Sequence, residues 1–192
     1  MSDQMKGKIV DSAYRLIKAQ SFEATSIKQI CEEAGVAYST FYSYFPSKES
    51  VIVTLFAEKT LLQPEDFPQM LAIDGAWDRL WKAIAISTDK ICELGPDICA
   101  NMLIGRLKNT GPDPHFLWEN HRNVFVPLIK NAQEKGEILN TQEPEQLFTP
   151  FLAFTVGYSY WWALRKGDLD LHAERRKGCE MIFQVRDDLR LF

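Results

Sequence analysis

Thr25–Lys48, TSIKQICEEAGVAYSTFYSYFPSK, reads as two short helices folded around a glycine turn, with a third helix starting at its end. Ser26 and Gln29, three residues apart, form a capping box that satisfies the first backbone donors of the leading helix. Ile27, Ile30, Cys31 and Ala34 recur at helical spacing and give it one apolar stripe. Gly35 ends it, as the residue best suited to a left-handed position just past a helix. Val36 turns inward, and the second helix carries Phe41 and Phe45 on one face. Pro46 stops that helix and Ser47 caps the next. Helix, short glycine turn, helix is the helix-turn-helix unit, whose second helix lies in the major groove of DNA.

The same stretch resembles the signature of the tetracycline-repressor (TetR) family of bacterial regulators. The likeness rests on Ala34-Gly35-Val36, Thr40-Phe41-Tyr42, Tyr44-Phe45 and Ser47-Lys48-Glu49, preceded by a helix, KIVDSAYRLIKAQSF, with Ile9, Ala13, Leu16 and Ile17 on one face. It is specific over about the first quarter of the chain. Three positions depart from the family pattern. Ser21 stands where glycine is usual, Ala37 stands where a serine commonly caps the recognition helix, and Tyr38 replaces a frequent Lys, Arg or Gln. The mode of base reading therefore does not carry over intact.

The resemblance implies that Tyr38, Ser39 and Thr40 face base edges, while Tyr42 and Tyr44 flank phosphates, with packing the alternative role for each tyrosine. Ser26 and Lys28 belong to the same expected surface, Lys28 at a position that can reach a base. Lys48, at a helix start, adds its charge to the N-terminal donors, a phosphate site. The recognition helix has no Arg, Lys, Asn or Gln to make bidentate contacts with purines. Reading must lean on hydroxyls, thymine methyls, Lys28 or DNA shape.

Charge agrees with a selective binder. Residues 1–50 hold six basic and six acidic side chains, so the net charge of −4 lies wholly beyond them. An indiscriminate DNA binder would be strongly basic. With 46% apolar residues the chain can bury a sizeable core. Cys31, Cys92, Cys99 and Cys179 show no metal spacing and read as small buried thiols of a reducing compartment. The N-terminus is polar, without a visible signal peptide, and a cytoplasmic location is expected.

The remainder reads as helix after helix, with no alternating strand pattern, so the fold is expected to be all-α. Residues 1–47 form a helix-turn-helix head and residues 48–192 a helical ligand-binding and dimerisation domain, joined by a helix over about 48–62. A segment broken by Pro64 and Pro68 makes the clearest linker. Further helices are expected over 76–94, 97–109, 113–135, 144–166 and 171–189. Leu147–Leu164 carries no charge across 18 residues, the lower limit for a membrane span. Its Thr, Pro, Gly and Ser content favours a helix buried on all sides; in the family, the last two helices form a two-fold dimer contact.

All five tryptophans lie in the second domain. Trp81, Thr88, Met102, Trp118, Phe154, Tyr158, Trp161 and Trp162 are the candidate lining of an apolar ligand pocket, with Phe116 and Phe151 beside them. Plain core or interface packing is the alternative for each. By resemblance, a small apolar or aromatic effector bound there would change the spacing of two DNA heads on a palindromic operator. No GxSxG, P-loop, GxGxxG or HExxH occurs, and His115, His121 and His172 are not spaced for a metal, so neither catalysis nor a cofactor is expected. The histidines read as surface or capping residues. The expected function is a homodimeric transcriptional repressor, with double-stranded DNA and a small effector as partners. The rival is a helix-turn-helix protein without an effector, whose helical domain would be packed solid.

Overall fold

Local signals set the first four helices. The computed structural model describes residues 2–108 and 113–192, and their side chains except at 2, 3 and 114–116; the expected roles of His115 and Phe116 lie outside the described residues. Helix α1 (Ser2–Gln20) ends at Ser21, whose φ of +88° is a conformation that favours glycine. Ser21 is held there by its N–H on the Ile17 carbonyl (2.9 Å) and by the Thr25 hydroxyl donating to its own carbonyl (2.8 Å). Helix α2 (Ile27–Ala34) carries the full capping box: Gln29 N–H donates to Ser26 Oγ, and Ser26 N–H to Gln29 Oε1. Gly35, at φ +66° and ψ +39°, ends it. Helix α3 (Tyr38–Tyr44) follows Ala37, which gives no side-chain cap. Ser47 and Ser50 cap α4 (Lys48–Thr60) reciprocally.

The proline-broken segment is not slack. It winds into a 3-10 turn, Pro64–Asp66, and a short α5 (Phe67–Leu71). Asp66 fastens it to the helix that follows by accepting from the Lys90 ammonium. Helices α6 (Ala76–Leu94), α7 (Pro96–Leu107), α8 (Pro114–Glu134), α9 (Pro144–Leu164) and α10 (Leu171–Phe183) follow, and a 3-10 turn at Asp187–Leu189 comes last. Proline opens α7, α8 and α9, where its missing N–H costs nothing.

The last helix stops six residues short of the expected Leu189. Gln184 turns left-handed (φ +49°) and sends Val185 back into the core, where it is fully buried and bridges Ile138. A helix continued past Phe183 would lose that burial. No strand forms among the described residues; this single bridge is the extended pairing they contain.

Two large apolar cores, and a smaller cluster of Ile91, Cys99, Trp162 and Leu171, hold the described residues together. The head core gathers Ile9, Phe22, Ile30, Phe41, Phe45 and Leu55, and extends into Leu94, Ile98 and Met102 of the helices beyond it. The second centres on Trp77, Leu80, Phe125, Phe148, Phe151 and Phe183. Polar contacts reinforce the junction: Phe22 N–H donates to Asp97 Oδ2 (2.7 Å) and Lys18 Nζ to the Glu93 carbonyl (2.9 Å).

Helix α9 sorts its uncharged residues by face. Leu147, Phe148, Phe151, Thr155, Ser159 and Trp162 are buried, whereas Val156, Tyr160, Trp161 and Leu164 are exposed. Among the described residues no helix is long and apolar enough to cross a membrane.

Candidate functional site

The exposed face of α3 is set by what its other face buries. Phe41 and Phe45 are anchored in the head core with ring centroids 6.0 Å apart. That anchoring turns Tyr38 and Tyr42 outward, about half-exposed, with Ser39 and Ser43 beside them. Thr40 and Tyr44 are half-buried, and Tyr44 packs against the head core. Lys28 projects from α2 with 70% of its side chain exposed and only a 3.8 Å ion pair to Glu32. A pair so exposed constrains it little. The Ser26 hydroxyl is engaged in its own cap.

Lys48 is placed differently from a free phosphate ligand. Its ammonium donates to the carbonyls of Phe22 and Thr25, both at 2.7 Å, and sits 4.0 Å from the centre of the Phe22 ring. Two of its three donors are spent tying α4 to the α1–α2 connection. The sequence places Lys48 at a helix start, but the carbonyls it meets come from 23 and 26 residues away.

Behind the head lies a cavity of about 350 Å³, within the size range of small-molecule sites. It is assembled from six helices: Phe56 and Thr60 of α4, Ile84 and Ser87 of α6, Met102 of α7, Trp118 and His121 of α8, Phe151 and Thr155 of α9, and Arg175 of α10 all face it. Of the expected lining, Met102, Trp118 and Phe151 are present. Thr88 lies just behind, its hydroxyl accepting from Arg175 Nη1 at 2.8 Å.

The other five aromatics lie off the cavity wall for identifiable reasons. Trp81 packs on the second core with the Arg176 guanidinium 5.0 Å from its ring. Phe154 lies against Gly178, where a Cβ would come within 1.8 Å of its ring. The Tyr158 hydroxyl donates to Glu174 Oε2 at 3.2 Å. Trp161 is exposed, while Trp162 is buried with Ile91, Cys99 and Leu171. Helical spacing located Trp81 on α6 and the other four rings on α9 but could not say which turn faced which neighbour.

His121 corrects the expectation of a surface or capping histidine. It lines the cavity, stacks on Phe125 with centroids 6.2 Å apart, and points Nδ1 at the Leu117 carbonyl (2.8 Å). Burial holds its pKa below the ordinary value, so the neutral ring donates through Nδ1 and leaves Nε2 as an acceptor.

Arg175 is the functional candidate that pattern reading missed. It is 3% exposed, and its Nη2 donates to the Thr155 carbonyl (2.9 Å) and Ser159 Oγ (2.6 Å). Its signal was present in the sequence. Leu171, Arg175, Gly178 and Cys179 share one helical stripe, which puts a cation on the inward face.

Residues 9–55 match the family model for bacterial regulatory proteins, tetR family. The fatty acid metabolism regulator protein of Bacillus subtilis (strain 168) is 37% identical over 51 residues, 27% of this chain and 26% of that protein. The HTH-type transcriptional regulator EthR of Mycolicibacterium smegmatis is 38% identical over 53 residues, 28% of this chain and 24% of that one. The match thus spans about a quarter of the length of these curated relatives. Over the whole chain the likeness is one of fold. Thermus thermophilus FadR, a TetR-family transcriptional repressor solved in complex with lauroyl-CoA, superposes with a TM-score of 0.72. That pair is 19% identical and covers 95% of this chain and 96% of the other.

Proposed function

This chain belongs to the tetR family of bacterial regulatory proteins, and on that premise we propose that it is a homodimeric repressor released from a palindromic operator by a small apolar effector. Residues 1–47 are the DNA-binding head, and 48–192 the sensor and dimerisation domain. Tyr38, Ser39, Thr40 and Lys28 read or flank the bases, with Tyr42 and Tyr44 at the phosphate margin.

The observation that carries this reading is a shared wall. Helix α4 supplies Phe56 and Thr60 to the cavity and Val51, Ile52 and Leu55 to the head core. Met102 belongs to both the cavity and the head core. A ligand that displaces these residues therefore moves the base of the head. Two half-sites about 34–36 Å apart must be engaged together, so a small pivot lowers affinity through the ligand's preference for one of the two states. A helical domain serving only a structural DNA binder would have no use for an apolar cavity at this junction. The lauroyl-CoA held by the Thermus repressor of the same fold supports an effector with an extended apolar body.

The dimer face is the exposed stripe of α9. Val156, Tyr160 and Leu164 recur every four residues with Trp161 beside them, and Met181 of α10 is 79% exposed. An apolar stripe of that kind suits an isologous two-fold contact.

The test is to titrate apolar and aromatic compounds, acyl thioesters among them, against the protein on selected operator DNA, following anisotropy and intrinsic tryptophan fluorescence together. Release should accompany the fluorescence change. Ligands that bind without release would leave a pocket and no switch.

A further inference from the structure

Arg175 and Arg176 are neighbours in sequence and both are buried, yet among the described residues only Arg176 is paired with an anion. Arg176 pairs with Glu180 through Nε (2.5 Å), donates to the Leu189 carbonyl (3.0 Å), and lies 4.8 Å and 5.0 Å from the rings of Trp77 and Trp81. It is a completed structural pair. Arg175 instead faces the cavity, and its bonded acceptors are neutral: two hydroxyls and one carbonyl.

Its Nε–H has no partner among the described residues. A guanidinium carries five N–H donors, and three bonds occupy only part of that set. The acidic groups whose field reaches it are the thiols of Cys92, Cys99 and Cys179. Burial pushes Cys99 and Cys179 up to about 12, and Cys92 also lies above its ordinary value, so all three stay neutral near pH 7. Burial brings Arg175 down only to about 10, so it keeps its charge there. A buried charge without a counter-charge is among the costliest arrangements a fold can hold. One residue before Thr88, Ser87 also lines the cavity, and its buried hydroxyl likewise has no partner among the described residues.

We infer that the cavity takes an amphiphilic monoanion, an apolar body bearing one carboxylate, with that carboxylate on Arg175 and the Ser87 hydroxyl as a supporting donor. The inference rests on the ligand-gated reading above and gives its effector a charge. The apolar body lies along Phe56, Ile84, Met102, Trp118 and Phe151. The donors left over, Nε–H and one Nη1–H, give a carboxylate charge-assisted hydrogen bonds, roughly twice as strong as those a neutral headgroup could accept. A ligand carboxylate would give Arg175 a counter-charge where its bonded acceptors among the described residues are all neutral, so headgroup and tail would contribute together.

Octanoate and decanoate are compared with octanol and decanol on the full chain, by intrinsic tryptophan fluorescence and by thermal unfolding. The acids should bind at least about tenfold more tightly than the alcohols, the effect of a charge-assisted hydrogen bond in a buried site. Arg175→Met, close in volume and uncharged, should abolish that preference while keeping affinity for the alcohols. Ser87→Ala should reduce it by a smaller factor. Equal binding of acid and alcohol by the unmutated chain would overturn the charge inference and leave the apolar-effector reading intact. So would a preference that survives Arg175→Met. Binding of neither class would overturn both. Should Arg175→Met not fold, the acid-to-alcohol ratio of the unmutated chain still decides.

Discussion

The head and the sensor put their chemistry on opposite sides of the protein surface. In the head, Phe41 and Phe45 are buried so that Tyr38, Tyr42 and Ser39 can face outward, on a helix with no cation of its own. In the second domain, the exposed Trp161 is away from the cavity, and Arg175 lies inside it with no anion bonded to it among the described residues. The helix boundaries of the head can be understood one helix at a time, because the caps at Ser26, Gly35 and Ser47 lie within a few residues of what they serve. The cavity belongs to no single helix. Six of them meet there, and three of those, α4, α6 and α7, also contribute to the head core, which is the ground for the proposed coupling of cavity and head.

Substitutions that separate the two faces of α9 should have the largest effect. Trp162→Asp places a carboxylate in the sensor core and should cost at least about 3–5 kcal/mol, the range for removing a buried tryptophan alone. Trp161→Asp, one residue earlier, should leave the protomer folded and dissociate the dimer. Circular dichroism and light scattering on the pair check this. A dimer that withstands Trp161→Asp would move the interface off the exposed stripe.

Lys48→Ala asks whether the head's best-placed cation serves DNA or the fold. Losing two charged hydrogen bonds should lower stability by about 1–3 kcal/mol, read as a shift in urea midpoint. A phosphate ligand would behave otherwise, with stability unchanged and the salt slope of DNA binding reduced by about one. Lys28→Ala should do the reverse of Lys48→Ala, leaving stability alone and weakening sequence preference.

Smaller and opposite in sign is Ser21→Gly. The left-handed backbone at Ser21 costs an L-residue about 1–2 kcal/mol, part of which returns as flexibility of the unfolded chain. A rise in melting temperature of a few degrees is expected, with operator affinity unchanged. Ala37→Ser, supplying the missing cap of α3, should add about 0.5–1 kcal/mol and is the finest probe of the head's local character.

The reach of sequence reading follows the same division. Ser26, Gly35, Ser47 and Pro46 act within one turn of where they stand, so the boundaries of α2, α3 and α4 were legible from the chain. Ser21 was legible as a departure, and its positive φ bears out the bend that a glycine would make easily. Lys48 was not, because its carbonyl partners lie in another loop. The cavity was only partly legible: aromatic content marked the right domain, while the turn-by-turn facing of α9 depends on how Phe154 meets Gly178. Arg175 escaped because Arg-Arg-Lys reads as a solvated run, although its place on the Leu171–Cys179 stripe argues for the interior.

The central claim is that cavity and operator are coupled through α4 and α7. Coupling is reciprocal, so its most direct test is to measure the dissociation constant of decanoate with and without saturating operator, and that of the operator with and without saturating decanoate. The two ratios should agree and lie within about 5–150-fold, both in the direction of mutual weakening. Ratios of one in both directions, with decanoate bound, would show that the cavity fills without the head responding.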